Sequence, residues 1–174
     1  DNYEIDLFKR LIEDSINIAG FDVQGDELNS HKVIVDHLRA SSFLIADGIL
    51  PTNEGRGYVL RRIMRRAMRH IHKLGIQDTH FWKLVDCLEH NMGEAFPELS
   101  RAKALIISTL KNEETKFKET LERGMGLLEK SILDLSSSEP FSGEIAFKLY
   151  DTYGFPIDLT EDVLRSKGHV LDMK

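Results

Sequence analysis

The sequence predicts an all-α fold: a helical domain with a long central helix, an amphipathic arginine-rich helix and two short C-terminal helices. Apolar residues recur three or four positions apart along most of the chain, a spacing that places them on one face of an α-helix. The longest apolar stripe extends from Leu99 to Leu135, and the most polarised segment lies between Leu50 and His70. The alternation of apolar and polar residues that indicates strands is rare.

The first two helices are predicted before residue 50. Apolar residues from Ile5 to Ile16 keep helical spacing until Gly20, which is expected to end the first helix. Ser30 is predicted to cap the second helix, which ends near Gly48. Both helices have one apolar face, so each is expected to pack against the core.

The arginine-rich helix is followed by a helix that starts at Asp78 and by the long helix, which starts around Pro97. Within the long helix Gly124 and Gly126 each cost about 1 kcal/mol relative to alanine, so a bend or a close helix contact is expected there. The segment SSSEP, residues 136–140, is typical of a linker.

Two short helices are predicted after this linker. The first is expected to be capped by Ser142 and to end at Gly154. The second is expected to be capped by Thr160 and to end at Gly168.

Length and composition are those of a soluble globular protein. The chain has 174 residues, of which 41% are hydrophobic and 30% charged, enough for one large domain or two small ones. Its single cysteine, Cys87, excludes an internal disulfide and predicts a reducing, cytoplasmic compartment. No apolar run has the length of a membrane span, and the acidic start is unlike a signal peptide. Because the sequence begins at Asp1 without a methionine, we expect a piece of a longer chain.

The arginine-rich helix carries a charge opposite to that of the whole chain. The formal net charge is −6, yet residues 53–73 hold seven Lys or Arg against one Glu, a local charge of +6. At 100° per residue, five arginines fall within about 140° and the apolar residues occupy the other face. No acidic residue separates these cations, so the face needs an anionic partner. The five arginines are Arg61, Arg62, Arg65, Arg66 and Arg69.

Charge alone leaves two kinds of partner open. A polyanion such as nucleic acid suits arginine, because the planar guanidinium can hold two phosphate oxygens at once. An acidic protein surface suits it as well, which would make the domain an all-α protein-interaction module. The long helix of this chain offers such a surface in Glu113, Glu114, Glu119, Glu122 and Glu129.

Other kinds of site are weakly indicated. The run GRGYVL begins like a dinucleotide fingerprint, but Leu60 stands where the third glycine belongs. Its two glycines instead predict an unusual backbone that places Asn53 and Arg56 at the entrance of the arginine-rich helix. The seven histidines form no zinc pattern, Cys87 is expected to be a buried inert thiol, and the Glu113 and Glu114 pair resembles a solvated face. We therefore expect no catalytic residue and no metal site in this chain.

Two long segments carry a family resemblance. VIVDHLRASSFLIADGILPTNEGRGYVLRRIMRRAMRH and AFKLYDTYGFPIDLT closely resemble alanyl-tRNA synthetases. By this resemblance, residues 1–20 are the helix that follows the class II catalytic domain. Residues 21–138 are the helical domain that recognises the tRNA acceptor stem, and residues 139–174 are short C-terminal helices of the same domain.

The resemblance implies the activity of a parent protein that attaches alanine to its tRNA. This alanine–tRNA ligase would use ATP and Mg²⁺ to form an alanyl-adenylate first. ATP and alanine would be bound by a catalytic domain before residue 1, and a zinc-containing editing domain would follow residue 174. This chain would hold no cofactor and would bind the acceptor stem of tRNA(Ala).

The resemblance also implies which residues recognise RNA. The family reads a G·U wobble pair with an Asn and an Asp that correspond to Asn53 and Asp151; from the residues alone, these would be a helix cap and a turn or cap residue. A carboxylate or amide oxygen can accept from the guanine 2-amino group, which lies in the accessible minor groove of A-form RNA. Arg65 is the best match to an assisting arginine. Phosphate binding is expected of the other arginines, Arg56, Arg61, Arg62, Arg66 and Arg69.

Overall fold

The computed structural model describes residues 2–20, 23, 25, 27–133, 140–153, 155 and 157–172. Over these residues the chain contains α-helices and two short 3-10 helices, Asn2–Glu4 and Phe81–Leu84, and no β-strand. An isolated parallel bridge joins Phe141 and Leu171. The all-α prediction is therefore confirmed. The α-helices are α1 (Asp6–Ala19), α2 (Glu27–Ala46), α3 (Gly55–Lys73), α4 (Val85–Met92), α5 (Pro97–Leu133), α6 (Gly143–Tyr153) and α7 (Ile157–Ser166).

The helices form two compact units, Asp1–Thr115 and Lys116–Lys174. The long helix α5 begins in the first unit and ends in the second. The domain boundaries predicted at residues 20 and 138 stay predictions. No helix in the described part of the chain is both long and apolar enough to cross a membrane.

The core of the first unit is formed by apolar faces at helical spacing. The pair α2 and α3 forms the largest helix contact, and α1 also packs against both α2 and α4. Burial of these side chains away from water is the main stabilising contribution, at about 25 cal/mol per Å² of apolar surface. Fully buried members of this core include Leu11, Ile34, Leu38, Ile45, Leu60, Met64, Phe81, Leu84 and Leu88.

Two predicted helix starts in the first unit are wrong. The second helix begins at Glu27, so Ser30 lies inside α2, where it is buried and its Oγ lies 3.1 Å from Nδ1 of His70. The helix predicted from Asp78 begins instead as the 3-10 helix Phe81–Leu84, which continues into α4. Ser30 thus contacts a residue 40 positions away on α3, and a local sequence pattern does not contain such a contact.

In the second unit α6 packs against α7, and the buried side chains include three aromatic rings. Phe117 on α5 is buried, as are Phe141 and Phe155. Ser142 directly precedes α6, as predicted. Thr160 is buried inside α7 and does not begin that helix, so this predicted cap is wrong. Gly154 and most of the 136–140 linker lie outside the described residues.

The two glycines of α5 have different surroundings. A Cβ atom at Gly124 would collide with the ring of Phe155, whereas a Cβ at Gly126 would meet no atom within 4 Å. The helix continues through both positions. A close contact is therefore present at Gly124, but it is made by Phe155, which follows α6, and not by another helix.

Candidate nucleic-acid interface

The segment that leads from α2 into α3 is packed tightly against the first turn of α3. Gly57 is buried, and a Cβ there would collide with the Thr52 side chain and the Leu50 carbonyl oxygen. Gly55 begins the helix with φ of +60°, a conformation that favours glycine. Thr52 Oγ1 donates a 2.8 Å hydrogen bond to the carbonyl of Glu54. The sequence-based prediction that these glycines permit an unusual backbone is confirmed.

Asn53 lies exposed at this entrance and is held by Arg61. The Nη1 atom of Arg61 donates to Oδ1 of Asn53, and Nη2 donates to the carbonyl of Pro51 at 3.4 Å. Because a guanidinium has donors only, the amide oxygen of Asn53 must be the atom that faces Arg61. The N-cap of α3 is Glu54, which makes no side-chain capping hydrogen bond. Asn53 is therefore not a helix cap.

A buried carboxylate on α5 joins two arginines of α3. The side chain of Glu113 is 4% exposed, and its Oε1 accepts a 2.8 Å hydrogen bond from Nε of Arg65. The same oxygen lies 3.2 Å from Nε of Arg61 in an ion pair. The two arginine side chains are 21% and 22% exposed. The buried carboxylate of Glu113 thus neutralises part of the positive charge of Arg61 and Arg65.

The prediction that Glu113 and Glu114 belong to a solvated face is wrong. Glu114 is only 5% exposed, and its Oε1 accepts from the backbone N–H groups of His80 at 2.6 Å and Phe81 at 2.9 Å. Burial raises the pKa of Glu114, while these backbone donors act in the opposite direction. Both glutamates are buried, but they have different partners. Glu113 binds arginine side chains of α3, and Glu114 binds backbone N–H groups at the start of the 3-10 helix Phe81–Leu84.

The other arginines of α3 differ in their surroundings. Arg62 lies over the ring of Tyr58, with its guanidinium carbon 5.9 Å from the ring centroid. Arg56, Arg62 and Arg66 are exposed, and within the described ranges none of the three forms an ion pair. Arg61 and Arg65 therefore pair with a carboxylate of the same chain, whereas Arg56, Arg62 and Arg66 stay exposed on the helix that begins two residues after Asn53. We call Arg56, Arg62 and Arg66 the outer arginines.

The histidine at the end of α3 adds no charge to this surface. Burial, together with the charges of Arg69, Arg66, Lys73 and His37, lowers the pKa of His70 to about 4. The ring is therefore neutral at pH 7. His70 therefore adds nothing to the positive charge of the helix.

Asp151 belongs to the second unit. It is exposed in the last turn of α6, so it is neither a turn residue nor a helix N-cap. Phe147, one helical turn earlier, is also exposed. Asn53 and the arginines of α3 all belong to the first unit.

Comparison with known proteins gives the family. The family of tRNA synthetases class II (A) matches residues 1–174. The chain belongs to this family. Two curated relatives are each named alanine–tRNA ligase, one from Sinorhizobium medicae (strain WSM419) at 63% identity and one from Rhizobium meliloti (strain 1021) at 62%. Each match covers 172 residues, or 99% of this chain and 19% of the relative. The resemblance predicted from the two sequence segments is confirmed, and the chain spans about a fifth of these relatives.

Sequence reasoning missed the position of Glu113 in this synthetase segment. Ile106, Leu110 and Phe117 form a buried row on α5, and helical spacing places residue 113 or 114 in the same row between Leu110 and Phe117. A glutamate in an apolar row is expected to be buried, and a buried carboxylate needs a cation or hydrogen-bond donors. That signal was present in the sequence, but it does not identify the partner.

Proposed function

We propose that this chain recognises the acceptor stem of tRNA(Ala), through its G·U wobble pair, as part of an alanine–tRNA ligase that attaches alanine to tRNA with ATP. Family membership and the two alanine–tRNA ligase relatives support the ligase. The observation that carries RNA binding is the exposure of the outer arginines on α3, the helix whose Arg61 holds Asn53. Exposed guanidinium groups with no carboxylate partner among the described residues suit a chain of phosphates.

In this proposal, affinity and specificity come from different side chains. The outer arginines, with Arg69, bind phosphates and place the stem without reading its sequence. Asn53 and Asp151 read the wobble pair. The exposed carboxylate of Asp151 can accept from the guanine 2-amino group. The Asn53 amide, whose oxygen already accepts from Arg61, can offer its NH2 group as a donor.

Catalysis is assigned to other parts of the parent protein. No group of three His, Cys, Asp or Glu within the described residues could hold a metal ion. The family resemblance assigns Mg²⁺ to the catalytic reaction and zinc to the editing domain of the parent protein. ATP and alanine would be bound outside residues 1–174. A cytoplasmic location belongs to the same proposal.

The alternative is a protein-interaction module, favoured by the fact that Arg61 and Arg65 already pair with a protein carboxylate. A gel shift of this chain separates the two functions. We expect a minihelix that carries the tRNA(Ala) acceptor stem to bind, and poly-glutamate to compete only weakly. Tight binding of poly-glutamate with no shift of the minihelix would favour the interaction module.

A further inference from the structure

Three contacts in the first unit connect a buried carboxylate to the exposed Asn53. Oε1 of Glu113 lies 3.2 Å from Nε of Arg61, and Nη1 of Arg61 donates to Oδ1 of Asn53. The third contact runs from Nη2 of Arg61 to the carbonyl of Pro51 at 3.4 Å. Both Nη atoms thus donate a hydrogen bond, and Nε faces the Glu113 carboxylate in an ion pair without donating a hydrogen bond to it, so the guanidinium is held on three sides.

The fixed guanidinium limits the freedom of Asn53. An exposed asparagine ordinarily samples several rotamers, and ordering it during binding opposes the binding. Here the amide is ordered before RNA arrives, because Arg61 is itself held by a carboxylate that is 4% exposed. Arg65, bound to the same oxygen at 2.8 Å, keeps that carboxylate in place from a second side.

We propose that Glu113 is a positioning residue for RNA recognition: its carboxylate holds Arg61, and Arg61 orients the Asn53 amide toward the wobble pair. This inference rests on the proposed function. Glu113 touches no RNA in this account. It acts by orienting Arg61 and, through Arg61, Asn53. Its removal should therefore lower selectivity for the wobble pair more than it lowers general RNA affinity.

The neighbouring glutamate provides a matched control. Glu114 is equally buried on the same helix and binds only backbone N–H groups and no arginine of α3 among the described contacts.

The test compares Glu113→Gln with Glu114→Gln in the full-length synthetase. The measured quantity is the ratio of kcat/KM for minihelices that differ only in carrying a G·U or a G·C pair. We expect Glu113→Gln to lower this ratio about 10- to 100-fold, because a small displacement of a reading group has effects of that size. Glu114→Gln should leave the ratio unchanged.

A double variant separates positioning from a general structural role. Once Asn53 is alanine, Glu113→Gln should cause no further change in the ratio, since the group that it positions is gone. If Glu113→Gln does not fold, Arg61→Lys replaces it. Lysine keeps the charge but cannot hold three partners with one planar group, so this variant should lose selectivity as Asn53→Ala does.

The outcomes distinguish this inference from the proposed function. If Asn53→Ala abolishes selectivity while Glu113→Gln and Arg61→Lys both keep it, Glu113 is not a positioning residue and the proposed function stands. If Glu113→Gln and Glu114→Gln lower the ratio equally, the effect comes from helix α5 in general and the inference is overturned. If Asn53→Ala and Asp151→Ala both leave selectivity intact, the proposed function itself is wrong.

Discussion

Arg65 donates a 2.8 Å hydrogen bond from Nε to Oε1 of Glu113, a carboxylate that is almost completely buried on α5. The basic face of α3 is therefore divided. Arg61 and Arg65 are anchored in the protein, whereas the outer arginines are exposed. Residues that looked equivalent on a helical wheel are expected to respond differently to substitution.

Substitution of an outer arginine should weaken RNA binding without loss of stability. If four arginines each neutralise one phosphate, the log–log dependence of affinity on salt has a slope of about −3, and a fourfold rise in salt lowers affinity about sixtyfold. Arg62→Ala or Arg66→Ala should make the slope shallower by about 1 and weaken all RNAs nearly equally. Titrations of a minihelix at several salt concentrations measure this, and an affinity that does not vary with salt would contradict it.

Arg65→Ala should instead destabilise the fold. It removes the hydrogen bond to a buried carboxylate, which keeps only its contact with Arg61, at a cost of about 1 to 3 kcal/mol in the free energy of unfolding. Denaturant unfolding measures the free energy of unfolding of Arg65→Ala and of Arg66→Ala, which serves as the control because Arg66 is exposed. Equal stabilities of the two variants would show that the Glu113 contact contributes nothing.

The two glycines of α5 provide a matched pair for packing in the second unit. Gly124→Ala should destabilise it by about 1 to 3 kcal/mol, because the new methyl group collides with the buried ring of Phe155. Gly126→Ala adds a methyl group in open space and should stabilise α5 by up to about 1 kcal/mol. Thermal unfolding of both variants tests the prediction, and it fails if Gly124→Ala is as stable as Gly126→Ala.

Acid should destabilise the first unit below about pH 6.5. Burial is the main cause that lowers the pKa of His70 and of His80 to about 4 each, from 6.5. Both rings are neutral in the folded protein, whereas the unfolded chain protonates them as the pH falls through 6.5. The unfolded state then binds more protons, so stability decreases between pH 6.5 and about 4, by up to about 1.4 kcal/mol per pH unit for each ring.

Buried groups nearby modify this dependence. The pKa values of His31 and His37 are also lowered by burial, which adds to the loss. The raised pKa of Glu114 acts in the opposite direction, because the folded protein then binds the extra proton. Denaturant unfolding at pH 7, 6 and 5 measures the sum, and His70→Asn should reduce the decrease. A free energy of unfolding that is constant from pH 7 to pH 5 would contradict the account.

Helical periodicity predicted most of the fold because burial of one apolar face decides where these helices form. The start of α5 agrees with the prediction, and Gly20, with φ of 79°, ends α1 as predicted. Ser30 and Thr160 show the limit of local patterns. Both residue types are good caps, yet here both are buried inside helices.

The candidate site was less predictable for the same reason. The charge pattern indicated a basic face, but Glu113, the carboxylate that Arg61 and Arg65 share, lies 48 to 52 positions away on α5. Contacts between residues so far apart in sequence depend on tertiary packing, which periodicity does not specify. The roles of Asn53 and Asp151 came from family resemblance, since each residue type alone is more typical of a cap or a turn.

In the proposed function, Asn53 and Asp151 specify the wobble pair, while the outer arginines and Arg69 supply affinity. The most direct measurement is the kcat/KM ratio of the full-length synthetase for G·U and G·C minihelices, with wild type, Asn53→Ala and Asp151→Ala side by side. The account predicts that either substitution abolishes the preference for G·U, at a cost of roughly 1 to 3 kcal/mol in discrimination. Variants that still charge the G·U minihelix with the selectivity of the wild type would contradict it.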